Sequence, residues 1–345
     1  MSNTRNSSKS ISGRILRWAI RGILGGVALI LALIITGTIY ESAMASRDAE
    51  RYPAPGQIIQ VNGRNMHLHC EGEGALTVVL EAGANAWSEM WALTQPAISK
   101  LTRTCSYDRA GYGWSSPKDG SHAPQAVAEE LHDLLHNAGI QPPYVLVGHS
   151  MGGKYIRAYT IAYPQEVAGL IFVDARHESM EPVGRTPEQS RKDGEAYEAA
   201  LNLYRILRQT GVARIFGLPL ARSLDPTLNL YPADIVYRMT LFTVRETTLQ
   251  TMIAEGKDGM ADDAELSASR LPAQLPIIVL SAESSLEIEG WSSAQQQLAA
   301  LSNNSQWIVV PNTGHNIQTE QPQAIVEAVR SLIDSIDTGV PLAKQ

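Results

Sequence analysis

The longest unbroken apolar stretch of the chain comes first. Gly22–Tyr40, GILGGVALILALIITGTIY, is 19 residues without a charge. At about 1.5 Å of rise per residue it spans a hydrocarbon core of about 30 Å. Residues 1–21 form a basic leader with Arg5, Lys9, Arg14, Arg17 and Arg21, and the first acid is Glu41. That asymmetry predicts a cytoplasmic N-terminus, with the remainder carried across the membrane. The run has no polar face, which argues against a buried helix of a soluble core. We read residues 22–40 as a transmembrane signal-anchor. Ala43-Met44-Ala45 fits a small-x-small cleavage site, so a secreted form cut near Ala45 is the alternative. Residues 41–56, with Pro53 and Pro55, read as a linker. The expected location is membrane-anchored with the bulk extracytoplasmic, in the periplasm or at the cell surface.

From residue 57 the pattern changes to short runs. Gln57–Val61 and Asn65–Cys70 flank Asn62-Gly63, a dipeptide that readily takes the positive φ angles of a tight hairpin. Six further runs, Thr77–Leu80, Thr104–Tyr107, Tyr144–Val147, Leu170–Val173, Ile277–Leu280 and Trp307–Val310, are short, rich in β-branched residues and bounded by turn formers. They read as buried parallel strands. Helical patterns lie between them, at Gln125–Asn137, Met151–Tyr163 and Gln323–Ile336. In the first, Val127, Leu131, Leu134 and Leu135 share one face, and Gly139 follows as a stop. The alternation predicts an α/β fold: a mostly parallel eight-stranded sheet with helices on both faces and its site at the carboxyl ends of the strands. The long interval between Asp174 and Ile277 breaks that rhythm. It carries helical patterns, such as Glu195–Arg208 and Pro232–Ala254, and no convincing strand. We read residues 178–270 as a helical cap, 57–337 as one domain and 338–345 as a tail.

Composition changes this picture in one respect. With 44% hydrophobic and 18% charged residues the chain is of ordinary globular type. Setting the five leader cations aside from the 28 basic residues leaves 23 against 35 acids, a balance of −12 for the rest. Such a domain lacks the clustered positive charge that neutralises phosphates, so no nucleic-acid partner is expected.

The clearest chemistry lies in Gly148-His149-Ser150-Met151-Gly152, directly after the strand at 144–147 and before a helical stretch. This is G-x-S-x-G in a strand–turn–helix setting. The turn is so tight that side chains at its glycines would collide with the neighbouring backbone. The serine stands at a helix N-terminus, where backbone N–H groups favour a developing anion. Three more motifs occur around it: Leu80–Asn85 (LEAGAN) after the third strand, Tyr107–Ser115 (YDRAGYGWS) after the fourth and Pro311–Asn316 (PNTGHN) after the last. In this order the motifs make residues 57–337 resemble the α/β-hydrolase superfamily.

The resemblance implies a nucleophile at Ser150 and, because a serine hydroxyl is weak alone, a base at His315. It does not by itself fix the acid. Where the family commonly has Gly-x-x-Asp, this chain has Ala282-Glu283-Ser284-Ser285, with serine at the acid's position. A carboxylate is still needed to orient the imidazole. Asp174, at the end of the strand after the nucleophile, is favoured; Glu283 is the alternative, with Glu287 and Glu289 behind it. The oxyanion hole is expected from the N–H groups of Met151 and Ala84, with Ala82-Gly83 replacing the common His-Gly pair. Trp87 and Trp91 read as core packing or pocket wall, and Tyr107–Ser115, Asp108 and Arg109 included, as a structural loop. The strand order of the resembled fold makes Cys70 and Cys105 neighbours. A disulfide there suits an oxidising compartment, against the alternative of two buried thiols.

Other histidines are read blandly. His132 and His136 lie four apart on a helix without a third ligand, and His67 and His69 alternate on one exposed sheet face. No metal or cofactor is expected. The function implied is a serine hydrolase that cleaves an ester or related acyl bond of a small molecule through an acyl-enzyme on Ser150. Amides and thioesters are alternative substrates. A catalytically weak, membrane-tethered ligand-binding protein of the same fold is the competing class.

Overall fold

The computed structural model describes residues 8–180, 187–259 and 263–343. Eight strands form one sheet: β1 (Gln57–Val61), β2 (Arg64–Glu71), β3 (Thr77–Glu81), β4 (Arg103–Tyr107), β5 (Tyr144–His149), β6 (Val167–Val173), β7 (Ile277–Ala282) and β8 (Ser305–Val310). Their spatial order is β1-β2-β4-β3-β5-β6-β7-β8. Only β2 runs antiparallel to its neighbours, and all other pairings are parallel. The β1–β2 turn is Asn62 and Gly63, at φ 49° and 77°. β3, β5 and β7 are buried along their whole length. That explains why they read as continuous apolar runs.

The helices in chain order are α1 (Ser8–Arg51), α2 (Gln95–Ile98), α3 (Pro124–Asn137), α4 (Gly152–Ala162), the cap helices α5 (Pro187–Gln209), α6 (Val212–Leu224), α7 (Ala233–Thr243), α8 (Glu246–Asp258) and α9 (Asp263–Ala268), then α10 (Trp291–Ala299), α11 (Ile317–Glu320) and α12 (Pro322–Thr338). Alternate strand residues feed opposite layers. Val79, Leu146 and Phe172 pack with Leu131 and Leu134 of α3 and Ile156 of α4. Val78, Val147 and Ile171 pack on the other face with Ile98 of α2 and Val329 and Leu332 of α12. Between residues 178 and 270 the described residues contain helices and no strand.

Two expectations need correction. Residues 41–56 are not a loose tether. Helix α1 continues to Arg51, just ahead of Pro53, because Glu41 and Asp48 are buried against the cap by Arg214. His67 is not on an exposed face but fully buried. Its Nδ1 lies 2.8 Å from Asp108, and Nε2 donates to the Pro55 carbonyl. Burial pulls this imidazole down, but the hydrogen bond and charge of Asp108, with the Pro55 carbonyl, outweigh it and hold the ring above its usual range. An alternating pattern reports which face a side chain takes. It does not report that the segment before β1 folds back over that face.

Candidate active site

Strand β5 ends in a turn that sets Ser150 at φ 51°. The Ser150 N–H donates to the Val173 carbonyl at 3.1 Å, and the Ser150 carbonyl accepts from Arg176 N at 2.9 Å. Glycines are obligatory on either side. A Cβ at Gly148 would stand 2.6 Å from the Gly152 carbonyl oxygen, and one at Gly152 would stand 2.7 Å from that of Glu81. Strained backbone at a non-glycine residue persists only where its surroundings determine it, and here β5, β6 and α4 all do.

Asp174 follows β6 directly, is fully buried and also adopts positive φ, at 41°. Its Oδ1 accepts from Ala282 N and Trp291 Nε1, both at 3.0 Å. Its Oδ2 accepts from Ser285 Oγ at 2.6 Å and lies 2.7 Å from His315 Nδ1. His315 comes from the loop after β8 and has a part-exposed side chain. With Nδ1 committed to the carboxylate, Nε2 is the ring nitrogen left to exchange protons. Trp291 meets the imidazole edge-on, with centroids 5.9 Å apart. Glu283, the alternative acid, is exposed and accepts instead from Asn312 N at 2.8 Å. Ser285, at the position where the family commonly carries its acid, is thus a hydrogen-bond donor to a carboxylate supplied by the preceding strand.

His149 lies beneath His315, with ring centroids 4.6 Å apart. Its Nε2 donates to the His315 carbonyl at 2.9 Å, so that nitrogen carries the proton. Burial, and the neighbouring His315, pull this imidazole down to about 3, so the ring stays neutral. A Cβ at Gly83 would stand 2.8 Å from His149 Nδ1 and 3.2 Å from Ser150 Cβ, which brings the loop at 82–86 against the serine. Among the described residues neither Ala84 N–H nor Met151 N–H has a protein acceptor.

Arg109 holds that loop. Buried, it donates to the carbonyls of Ala82 and Gly83 at 2.8 Å each, and pairs with Glu81 at 2.7 Å and Glu255 at 2.9 Å. Burial pushes Glu81 up to about 6 against the pull of Arg109. Glu255 comes from the cap helix α8. It also accepts from Tyr112 Oη at 2.8 Å, Tyr155 Oη at 3.1 Å and the Asn85 N–H at 3.2 Å. Asp108 performs a similar task below, accepting from Ser88 N and Trp114 N at 2.9 Å each. Trp87 and Trp91 are both buried in the core. Cys70 and Cys105 stand opposite each other on β2 and β4 and are disulfide-bonded. Sequence reasoning missed Trp291 and Glu255. Neither has a local signal, since each is an ordinary residue of a helical stretch.

Residues 77–322 match the family model of the alpha/beta hydrolase fold. A protein of Schizosaccharomyces pombe is 28% identical over 301 residues, covering 76% of this chain and 53% of its own, so the chain spans about half that relative's length. An sn-1-specific diacylglycerol lipase of Mus musculus is 27% identical over 237 residues, 67% of this chain and 71% of the lipase. Among solved structures, a thermophilic esterase from Thermogutta terrifontis superposes with a TM-score of 0.58 at 21% identity, covering 81% of this chain and 97% of the esterase. With the strand order, the serine turn and this match in agreement, the chain belongs to the α/β-hydrolase fold family.

Proposed function

We propose that the protein is a serine hydrolase of carboxylic esters or closely related acyl compounds. The observation that carries this reading is the 2.7 Å contact of His315 Nδ1 with buried Asp174, beside a serine held at positive φ on a nucleophile turn. His315 Nε2 takes the Ser150 proton as Oγ attacks the acyl carbon. The N–H groups of Ala84 and Met151 receive the oxyanion. The protonated imidazole, stabilised by Asp174, gives its proton to the leaving group. His315 then draws a proton from water, whose attack on the acyl-enzyme frees the acid and restores Ser150. The esterase and lipase among the similar proteins are in keeping with ester substrates. Helix α1, long and apolar enough to span a membrane over Arg14–Ala45, is read as an anchor that leaves the domain outside the cytoplasm, where a disulfide persists.

The test is Ser150→Ala against wild type with a p-nitrophenyl ester panel and a fluorophosphonate probe. Turnover is expected to fall about 10⁴-fold or more, and labelling to vanish, in a folded protein. Undiminished turnover refutes the reading. Failure of the folded wild type to label favours a ligand-binding protein of the same fold.

A further inference from the structure

Among the described residues outside α1, nine large apolar side chains are exposed in the cap and only four in the rest of the molecule. The cap's share is concentrated. Leu203 and Ile206 of α5 are 56% and 57% exposed, and Ile215, Phe216 and Leu224 of α6 are 59%, 62% and 69% exposed. Positions 212, 215, 216, 220 and 224 recur at helical spacing, so they form one stripe along α6. A continuous apolar surface of this kind marks an interaction site.

Where that surface lies relative to α1 identifies its partner. The turn between α5 and α6 packs on α1 at Gly37: a Cβ there would meet the Thr210 carbonyl oxygen at 2.0 Å, and a Cβ at Gly211 would meet the Gly37 carbonyl oxygen at 3.0 Å. Gly37 belongs to the apolar run that ends at Tyr40. One turn later Arg214 clamps the same helix, with Nε 2.7 Å from Glu41 and Nη1 2.6 Å from Asp48. Charged pairing thus begins where the apolar run stops. The first residues of α6 are within about 6 Å, four residues of helix rise, of that boundary. A cavity of about 330 Å³ opens on this face. Its rim is Val212, Phe216, Leu220 and Leu224, and its walls are almost wholly apolar. Leu201 and Leu249 line it, and both also pack in one cluster with Trp87, which follows the loop at 82–86.

We propose that the α5–α6 face rests in the surface of the bilayer crossed by α1, and that the cavity behind it takes an acyl chain of a membrane lipid whose ester is the substrate. This rests on the anchored hydrolase reading above and adds to it a substrate class and a route of entry.

The experiment uses the full chain in phosphatidylcholine vesicles. Single cysteines replace Ile206, Ile215 and, on the far sheet edge, Val309; Cys70 and Cys105 are already bonded to each other. Each is labelled with an environment-sensitive dye and challenged with a nitroxide-bearing lipid. Quenching several-fold stronger at 206 and 215 than at 309 is the expected result. Equal, weak quenching at all three in a chain that stays with the vesicles after an alkaline wash overturns the proposal. Dyes at 206 and 215 shielded from both water and lipid, in a dimeric sample, also overturn it, since a second copy then covers the face. A chain that washes free defeats the anchor, and with it this proposal. In the activity arm, Ile206→Asp combined with Ile215→Asp lies outside the cavity lining. It is expected to reduce hydrolysis of a long-chain lipid ester in vesicles about tenfold and to leave a soluble short-chain ester untouched. Unchanged lipid turnover overturns the proposal. Wild type inactive on both esters sinks the hydrolase reading instead.

Discussion

The sheet and the cap handle polar groups in opposite ways. In the sheet domain apolar layers close both faces, and the polar residues of the site hang from strand ends: Ser150 after β5, Asp174 after β6 and Ser285 after β7. In the cap, apolar residues are left bare on the outside, and the apolar seam that Leu201, Phe242, Leu249 and Met252 make with Trp87 and Tyr112 is flanked by polar ties to the core. Glu255 reaches Arg109, Arg238 pairs with Glu89, Tyr231 Oη bonds the Met90 carbonyl, and Arg245 donates to the Gly113 carbonyl. The difference teaches a division of labour. The strand-end turns are held by close backbone packing, whereas the cap is held by one apolar seam and a few specific polar points.

The sharpest way to break that comparison is to disturb the strand-end site without disturbing packing. Asp174→Asn keeps the shape but favours the wrong imidazole tautomer, and should reduce kcat about 10⁴-fold. Glu283→Gln, on an exposed side chain, should change it less than about twofold. Steady-state kinetics on one ester decide, and similar losses in the two variants would dissolve the assignment of the acid. Next in size is the core staple. Replacing Cys70 and Cys105 by serine opens a crosslink 35 residues apart and should cost about 4 kcal/mol in denaturant unfolding, with ester turnover retained below the midpoint. The smallest effect probes a fastening. Glu255→Gln should lower kcat about tenfold with KM within about twofold, since Glu255 holds Arg109 and the Asn85 N–H of the loop proposed to supply the oxyanion hole. A change confined to KM would make it a substrate contact instead.

Much of the sheet was legible because parallel strands buried on both sides leave uninterrupted β-branched runs, and because the serine turn tolerates so few residues at 148 and 152. A serine standing where an acid is usual turned the sequence reading towards Asp174, with Glu283 as the alternative; in the structure that serine donates its hydroxyl to the Asp174 carboxylate. What stayed hidden is pairwise. Arg109 and Glu255 lie 146 positions apart, and each alone looks like a solvated charge. His67 failed for the same reason, its partners being Asp108 and the carbonyl of Pro55. The continuation of α1 to Arg51 depends on Arg214, a residue of the cap. Periodicity encodes a residue's face, while a buried ion pair is encoded by two distant letters with no pattern between them.

Arg109 bears on motion as well as on geometry. Its guanidinium is shared between the backbone carbonyls of Ala82 and Gly83 and a carboxylate from overhead. Swinging the roof away would remove one of its two carboxylate partners and leave Glu81 and the loop carbonyls to hold the cation. The overhead carboxylate, Glu255, also accepts from the Asn85 N–H, so any motion of the roof would be felt at once by the loop beside the serine.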